Sequence, residues 1–346
     1  MLSSIFSSKK PVRWGRLGAF VGLAFTILLA VWEIFWRALG LVPVHNDTRD
    51  LWADQRDLAS RSGARTLTII GSSRVFYGLD LDLLARKSKR RVLQLAVNGN
   101  ATLPYLEDLA SDPSVQGTVL CGIVPRYFFN FSRAYRKAVS YVEYRRKRTP
   151  ADRLSHWITF HLEKFFAYPS KEELGFQLYL EDHLRWGRKI LKERLPPGVS
   201  RQLTFIAANR ATKMPDPVFH STPFRFHLRK RLIRGLKKHS KVSEKERREI
   251  LRRTGEATRK LLRRNVKVVF LRMPSSGEYL AREKALWPRK NYWDEISRVA
   301  GAPGVHFEDH AELRGFQCPD LSHLRREDAT RYTERLYRIL GSLGAI

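Results

Sequence analysis

Three short stretches of this 346-residue chain carry the groups that acyl-transfer chemistry needs. The first is Gly71-Ser72-Ser73-Arg74, which stops the β-branched run TLTII at the point where a strand should give way to a helix. A serine at such a turn lies beside backbone N–H groups that a helix start leaves free, and these favour the negative charge of a tetrahedral intermediate. The plainer role for Ser72 or Ser73 is helix capping. The second stretch is VNGNAT at 97–102, whose Gly99 lets a backbone N–H come close to a ligand. An ordinary Asn-Gly turn has the same look. The third is CPDLSHL at 318–324, in which Asp320 and His323 are three apart. On a tight turn that spacing lets the carboxylate meet Nδ1–H of the imidazole, leaving Nε2 to accept a serine proton. Alternatively, Asp320 or Ser322 caps the last helix and His323 is solvated. His306 and His310 flank FED without a clear third ligand, so no metal set is expected. No phosphate-cradling glycine loop is present, and no cofactor is expected.

The elements that must position these groups follow from hydrophobic periodicity. Short apolar runs at 66–70, 91–97, 117–124, 266–274 and 304–309 predict five strands. Helical patterns lie between them: Leu79, Leu83 and Leu84 after the first run, and Leu103, Leu106 and Leu109 after the second. Tyr332, Leu336, Ile339 and Leu340 share one face of a last helix. Strands without polar alternation, separated by helices, predict an α/β fold. It is a three-layer α/β/α sandwich on a parallel, flavodoxin-like sheet, with its site at the carboxyl ends of the strands. The alternation breaks between 126 and 265, which predicts a basic helical insertion over or beside the active edge. Residues 225–264 hold 17 Lys and Arg against 4 Glu, and Ser243-x-x-Glu246 predicts a capping box at the start of a helix over 243–264.

Taken together, the three stretches resemble the SGNH (GDSL-like) hydrolase superfamily. Gly71-Ser72-Ser73 is similar to its Gly-Asp-Ser block, with Ser72 in place of the Asp. Gly99 is similar to its oxyanion-hole glycine, and Asp320-x-x-His323 to its last block. The resemblance covers roughly 65–125 and 267–346. It implies a catalytic triad of Ser73, His323 and Asp320, with Ser73 and Gly99 N–H groups as oxyanion donors. The family's Gly-x-Asn-Asp block is missing: CGIVPRYFF stands there, and Asn98, Asn100 and Arg126 are alternative third donors. The chain looks most like the membrane-anchored branch, which includes the proteins of teichoic-acid D-alanylation and alginate O-acetylation. That likeness implies a serine acyltransferase or esterase for O-acyl, chiefly O-acetyl, groups of a cell-envelope glycan. It also implies a multi-spanning membrane-bound O-acyltransferase as partner. The rival expectation is a non-catalytic relative that binds polysaccharide or scaffolds such a complex.

The bulk composition fits this setting. Residues 17–32 are uncharged and apolar, and with Trp14, Trp32 and Trp36 near the ends they predict a transmembrane helix over 17–37. Lys9, Lys10, Arg13 and Arg16 precede it, which keeps residues 1–16 cytoplasmic and sends the rest outward. The competing reading is a cleaved signal peptide ending near ALG at 38–40; the length of the run and its bulky aromatics favour the retained anchor. Residues 38–64 form a tether, 65–125 with 266–346 the α/β domain, and 126–265 the insertion. The net charge of +30 favours anionic partners, here lipid head groups or an acidic glycan rather than nucleic acid, since the domain leaves the cytosol. Cys121 and Cys318 are too few for a disulfide scaffold; a single bridge between them is left open.

Overall fold

A computed structural model describes residues 13–38, 42–167, 206–214, 222–237 and 242–346. Part of the expected insertion (168–205, 215–221 and 238–241), Lys9 and Lys10, and part of ALG at 38–40 lie outside the described residues.

Five strands form one parallel sheet: β1 (Thr66–Ile70), β2 (Arg91–Gln94), β3 (Thr118–Gly122), β4 (Lys267–Arg272) and β5 (Gly304–His306). Their order is β2-β1-β3-β4-β5, the flavodoxin-like arrangement, with a reversal of winding between β1 and β3. Thr68 pairs with Leu93 on one side and Val119 on the other, and Val269 follows Leu120 across the next pair. Strand β1 begins and ends as the hydrophobic run predicts. Strand β2 ends at Gln94, yet Leu95 N–H still bonds the Ile69 carbonyl and Val97 N–H the Gly71 carbonyl, so the run keeps its register past the regular strand.

Alternate residues of each strand enter opposite cores. Leu67, Ile69, Leu120, Val269 and Leu271 face one, while Ile70, Val119, Val268 and Phe270 face the other. Both faces are therefore covered, as a parallel sheet requires. One cover consists of α3 (Ser73–Gly78), α4 (Leu81–Ser88) and, far along the chain, α13 (Arg326–Ser342). The other is built from α2 (Arg49–Ala59), α5 (Leu103–Ser111), α10 (Glu244–Leu262) and α12 (Arg289–Ala300).

Two segments that the sequence reads as a tether with a short helix and as a basic helix of the insertion contribute to these layers. Helix α2, within the tether, buries Trp52 and donates its indole N–H to the Leu95 carbonyl. Helix α10, the last helix of the basic insertion, buries Ile250, Leu251, Ala257 and Leu261 against the sheet layer. Each of the three isoleucine and leucine side chains contributes about 1.5–3 kcal/mol of burial. Ser243 caps α10 by accepting from Glu246 N–H. The Glu246 carboxylate does not close the expected box; it accepts instead from Phe131 N–H. A complete capping box occurs at Thr149 and Asp152, at the start of α8 (Pro150–Phe165).

Before the sheet comes α1 (Trp14–Ala38), with mean hydropathy 2.1 over its most apolar 18 residues, long and apolar enough to cross a membrane. The remaining helices, α6 (Pro125–Phe128), α7 (Arg133–Lys147), α9 (Thr222–Lys237) and α11 (Gly277–Leu286), gather around the carboxyl edge and the α2–α5 flank.

Candidate active site

The serine turn is set by close packing. Gly71 sits at φ +154, and a side chain there would meet Val75 Cγ2 at 2.4 Å. Gly122, at the end of β3, faces the same valine: a Cβ on it would lie 2.4 Å from Val75 Cγ1. Two glycines thus let α3 press into the crevice between β1 and β3, at the point where the winding reverses. Ser72 is the N-cap residue, but its side chain makes no capping bond, and its Oγ is buried without a hydrogen-bond partner. Capping by its hydroxyl therefore does not account for the Ser-Ser pair. Ser73 is the first helical residue and 7% exposed. A six-residue helix has little macrodipole; what it offers is first-turn N–H groups without intrahelical acceptors.

The Asp-His turn is fully formed. Asp320 Oδ1 accepts from the backbone N–H of Ser322 (2.9 Å) and of His323 (2.7 Å), and Oδ2 lies 2.6 Å from His323 Nδ1. Leu321, between them, takes φ +78, a conformation that a residue with a bulky side chain rarely adopts. Such strain persists only where neighbours over-determine it. Here Leu321 N–H bonds the Cys318 carbonyl, the Leu321 carbonyl accepts from Ser276 N–H, and Ser276 Oγ accepts from Cys318 N–H. Burial raises the Asp320 pKa, but the facing imidazole and the N–H donors outweigh it and hold the carboxyl below its ordinary value. An ionised carboxylate only accepts, so Nδ1 donates, and in the neutral imidazole Nε2 carries the lone pair. Nε2 is buried with no hydrogen-bond partner, so no bond joins it to Ser73.

The two pieces are nevertheless neighbours. Arg74 Nε donates to Ser322 Oγ at 3.2 Å, and the Tyr77 ring stands edge-on to His323 with centroids 5.6 Å apart. The residue after Ser73 and the residue one turn beyond it therefore both touch the histidine turn. Helix α13 packs directly on α3 as well.

Behind the serine lies a network that sequence reasoning missed. The Glu283 carboxylate of α11 bonds Arg74 (2.9 Å), Arg272 (2.7 Å) and the Ser275 hydroxyl (2.7 Å), all buried. Burial alone would raise the Glu283 pKa; Arg272 and Arg74 overcome it and hold the carboxyl at about 2. Two guanidiniums against one carboxylate leave a net positive charge beside the Ser73 backbone, the sign that a developing oxyanion needs. The one available signal was Arg74 next to the serine; its partner is 209 positions away.

The oxyanion candidates separate. Gly99 has φ +71 and open space around it. Asn98 Nδ2 donates to the Tyr77 hydroxyl at 3.3 Å, which places it beside the ring that meets His323. Asn100 turns into the core, where Nδ2 donates to the Tyr105 hydroxyl at 2.6 Å. Arg126 stacks over Tyr127 (4.9 Å) against Gly235 of α9. That helix reaches the site itself: Arg229 Nε donates to the Pro319 carbonyl, one residue before Asp320, at 2.8 Å.

Cys121 and Cys318 are both free and buried, in cores on opposite faces of the sheet, so no bridge pins the Asp-His turn. Burial pushes the Cys318 thiol up to about 12. His306 lines a cavity of about 380 Å³ with Arg272, Glu283, Trp287 and Phe307. Burial and then Arg272 and Arg289 push its pKa down to about 3, so it stays neutral. Among the described residues, no group of three His, Cys, Asp or Glu side chains could hold a metal ion.

In comparisons with known proteins, no family model matches the chain, and no curated protein does.

Proposed function

We propose that this is a membrane-anchored serine acyltransferase or esterase acting outside the cytosol on O-acyl, chiefly O-acetyl, groups of a cell-envelope glycan. The observation that carries the reading is the Asp320–His323 pair at 2.6 Å, with Nε2 unpartnered and both neighbours of the histidine turn resting on the helix that begins at Ser73. Ser73 Oγ attacks the ester carbonyl while His323 Nε2 takes its proton. The Ser73 and Gly99 N–H groups hold the oxyanion. The tetrahedral intermediate collapses, the leaving alcohol takes the proton from His323, and an acyl-serine remains. A glycan hydroxyl or water, deprotonated by the same imidazole, then removes the acyl group. Nε2 and Oγ bond on this reading when substrate is bound, since catalytic hydrogen bonds commonly tighten only at that stage.

The apolar α1, with Lys9, Lys10 and Arg13 before it and Arg16 in its first turn, supports an anchor with the α/β domain outside. The exposed Lys230, Arg231 and Arg234 of α9, a helix tied to Pro319, support an acidic acceptor near the site. The resemblance to the membrane-anchored SGNH branch supports a multi-spanning O-acyltransferase as acyl supplier. In the test, Ser73→Ala lowers turnover of a chromogenic acetyl ester by about 10³-fold or more, with circular dichroism unchanged. Full retained turnover contradicts the reading.

A non-catalytic glycan binder is the second reading. It draws support from Asn98 and Asn100, whose amides are engaged by Tyr77 and Tyr105 rather than held ready as a third donor. Its mark is glycan binding that Ser73→Ala leaves unchanged, in a protein without esterase turnover.

A further inference from the structure

Helix α8 is turned inside out. A helix on a water-soluble domain points its apolar stripe at the core and its polar face at water. The inward face of α8 carries His156 and Glu163, both buried, with Phe160. His156 Nε2 lies 3.0 Å from Asp54, Glu163 bonds the Asn46 amide, and Phe160 stacks on His45 at 4.2 Å. The outward face carries Leu154, Trp157, Ile158, Leu162 and Phe165, at helical spacing; Leu154 is 60%, Trp157 59% and Phe165 61% exposed. From Leu154 to Phe165, twelve residues give a ridge about 18 Å long. A contiguous apolar face of this kind marks a contact with something apolar.

The occupant is indicated by where the ridge ends. Arg37 of α1 donates to the Phe165 carbonyl at 2.9 Å, and Glu33 of α1 accepts from Ala167 N–H at 2.9 Å. Up to that joint α1 is itself exposed and apolar, with Val31 59% and Ile34 66% exposed. The ridge of α8 therefore starts where the apolar surface of the spanning helix stops, at the level of a membrane boundary. Its composition suits that depth: Trp and Phe at the interface, and Arg153 and Lys164 on the flanks to meet anionic head groups.

We propose that α8 is an interfacial helix, lying along the outer membrane surface with Leu154, Trp157, Ile158, Leu162 and Phe165 in the head-group and acyl-chain boundary. The lipid bilayer that α1 spans is its partner. The arrangement fixes the α/β domain at one height and orientation over the membrane, where α1 alone would leave it free to swing. The inference rests on reading α1 as a spanning anchor.

The test reconstitutes the full chain in nanodiscs of phosphatidylethanolamine and phosphatidylglycerol and attaches a nitroxide at Ile158→Cys. Leu28→Cys in α1 and Arg331→Cys on α13 serve as references; Cys121 and Cys318 are buried and remain unlabelled. Power saturation compares collision with oxygen, concentrated in lipid, and with a water-soluble nickel chelate. The expected result is a label at 158 that collides with oxygen several-fold more than the label at 331 does, and rarely with nickel. Free collision with nickel at 158 overturns the proposal, and so does shielding from both reagents, which assigns the ridge to a protein partner. If the label at 28 also meets nickel freely, the anchor reading fails too; if it meets oxygen while 158 meets nickel, only the interfacial helix fails.

Discussion

The turn at Leu321 is strained and spends three hydrogen-bond donors on one carboxylate. Asp320 could have capped α13, yet the cap position falls to Arg325, and the Asp320 oxygens point to Ser322, His323 and the imidazole. Asp320→Asn tests what this is for. An amide nitrogen opposite Nδ1 presents a donor, which forces the proton to Nε2 and removes the base. Turnover of an acetyl ester should fall about 10³- to 10⁴-fold with little change in KM. A variant with near-normal turnover makes the carboxylate a structural prop. Residues 71–74, 99, 320 and 323 were legible from sequence as candidates because each stands at a strand end or before a helix and breaks a hydrophobic pattern. Arg272 and Glu283 were not, since a buried ion pair between a strand end and a helix leaves no local periodicity.

Elements bring these groups together through that hidden charge network. Arg74 on α3, Arg272 ending β4 and Glu283 on α11 are mutually dependent, because removing the carboxylate leaves two buried guanidiniums without their counter-ion. Glu283→Gln should cost about 3–5 kcal/mol at pH 7, read as a lower urea midpoint. The sign of the pH effect follows from a folded pKa of about 2 against an ordinary 4.5. The carboxylate's contribution is complete above about pH 4.5 and is lost as pH falls towards 2. The gap between wild type and variant therefore narrows at pH 3; an equal gap at both pH values contradicts the assignment. At this scale the five strands and the last helix were readable from period and composition. The roles of α2 and α10 were not. In α10 the buried positions Ile250, Leu251, Thr254, Ala257, Thr258 and Leu261 follow helical spacing, which predicts a helix but not the sheet face that it covers. Much of that charge is neutralised locally, as in Arg252 with Glu249 and Glu256.

As a whole molecule, the chain joins an apolar helix to an α/β sandwich with a surplus of positive charge. If the anchor keeps its basic N-terminus in the cytosol, a protease added to cells stripped of their outer barrier digests the domain beyond residue 42 while the membrane stays sealed. Protection of the domain under those conditions reverses the orientation. The topology then puts the β1–β3 crevice, the Asp-His turn and the basic face of α9 together on one rim of the sheet. Whether that rim performs covalent chemistry is decided most directly by treating the purified full-length protein with a fluorophosphonate and mapping the adduct by peptide mass spectrometry. The account predicts one modified residue, Ser73, and loss of the adduct in His323→Ala. A folded protein that leaves Ser73 unmodified, or carries the adduct elsewhere, contradicts it.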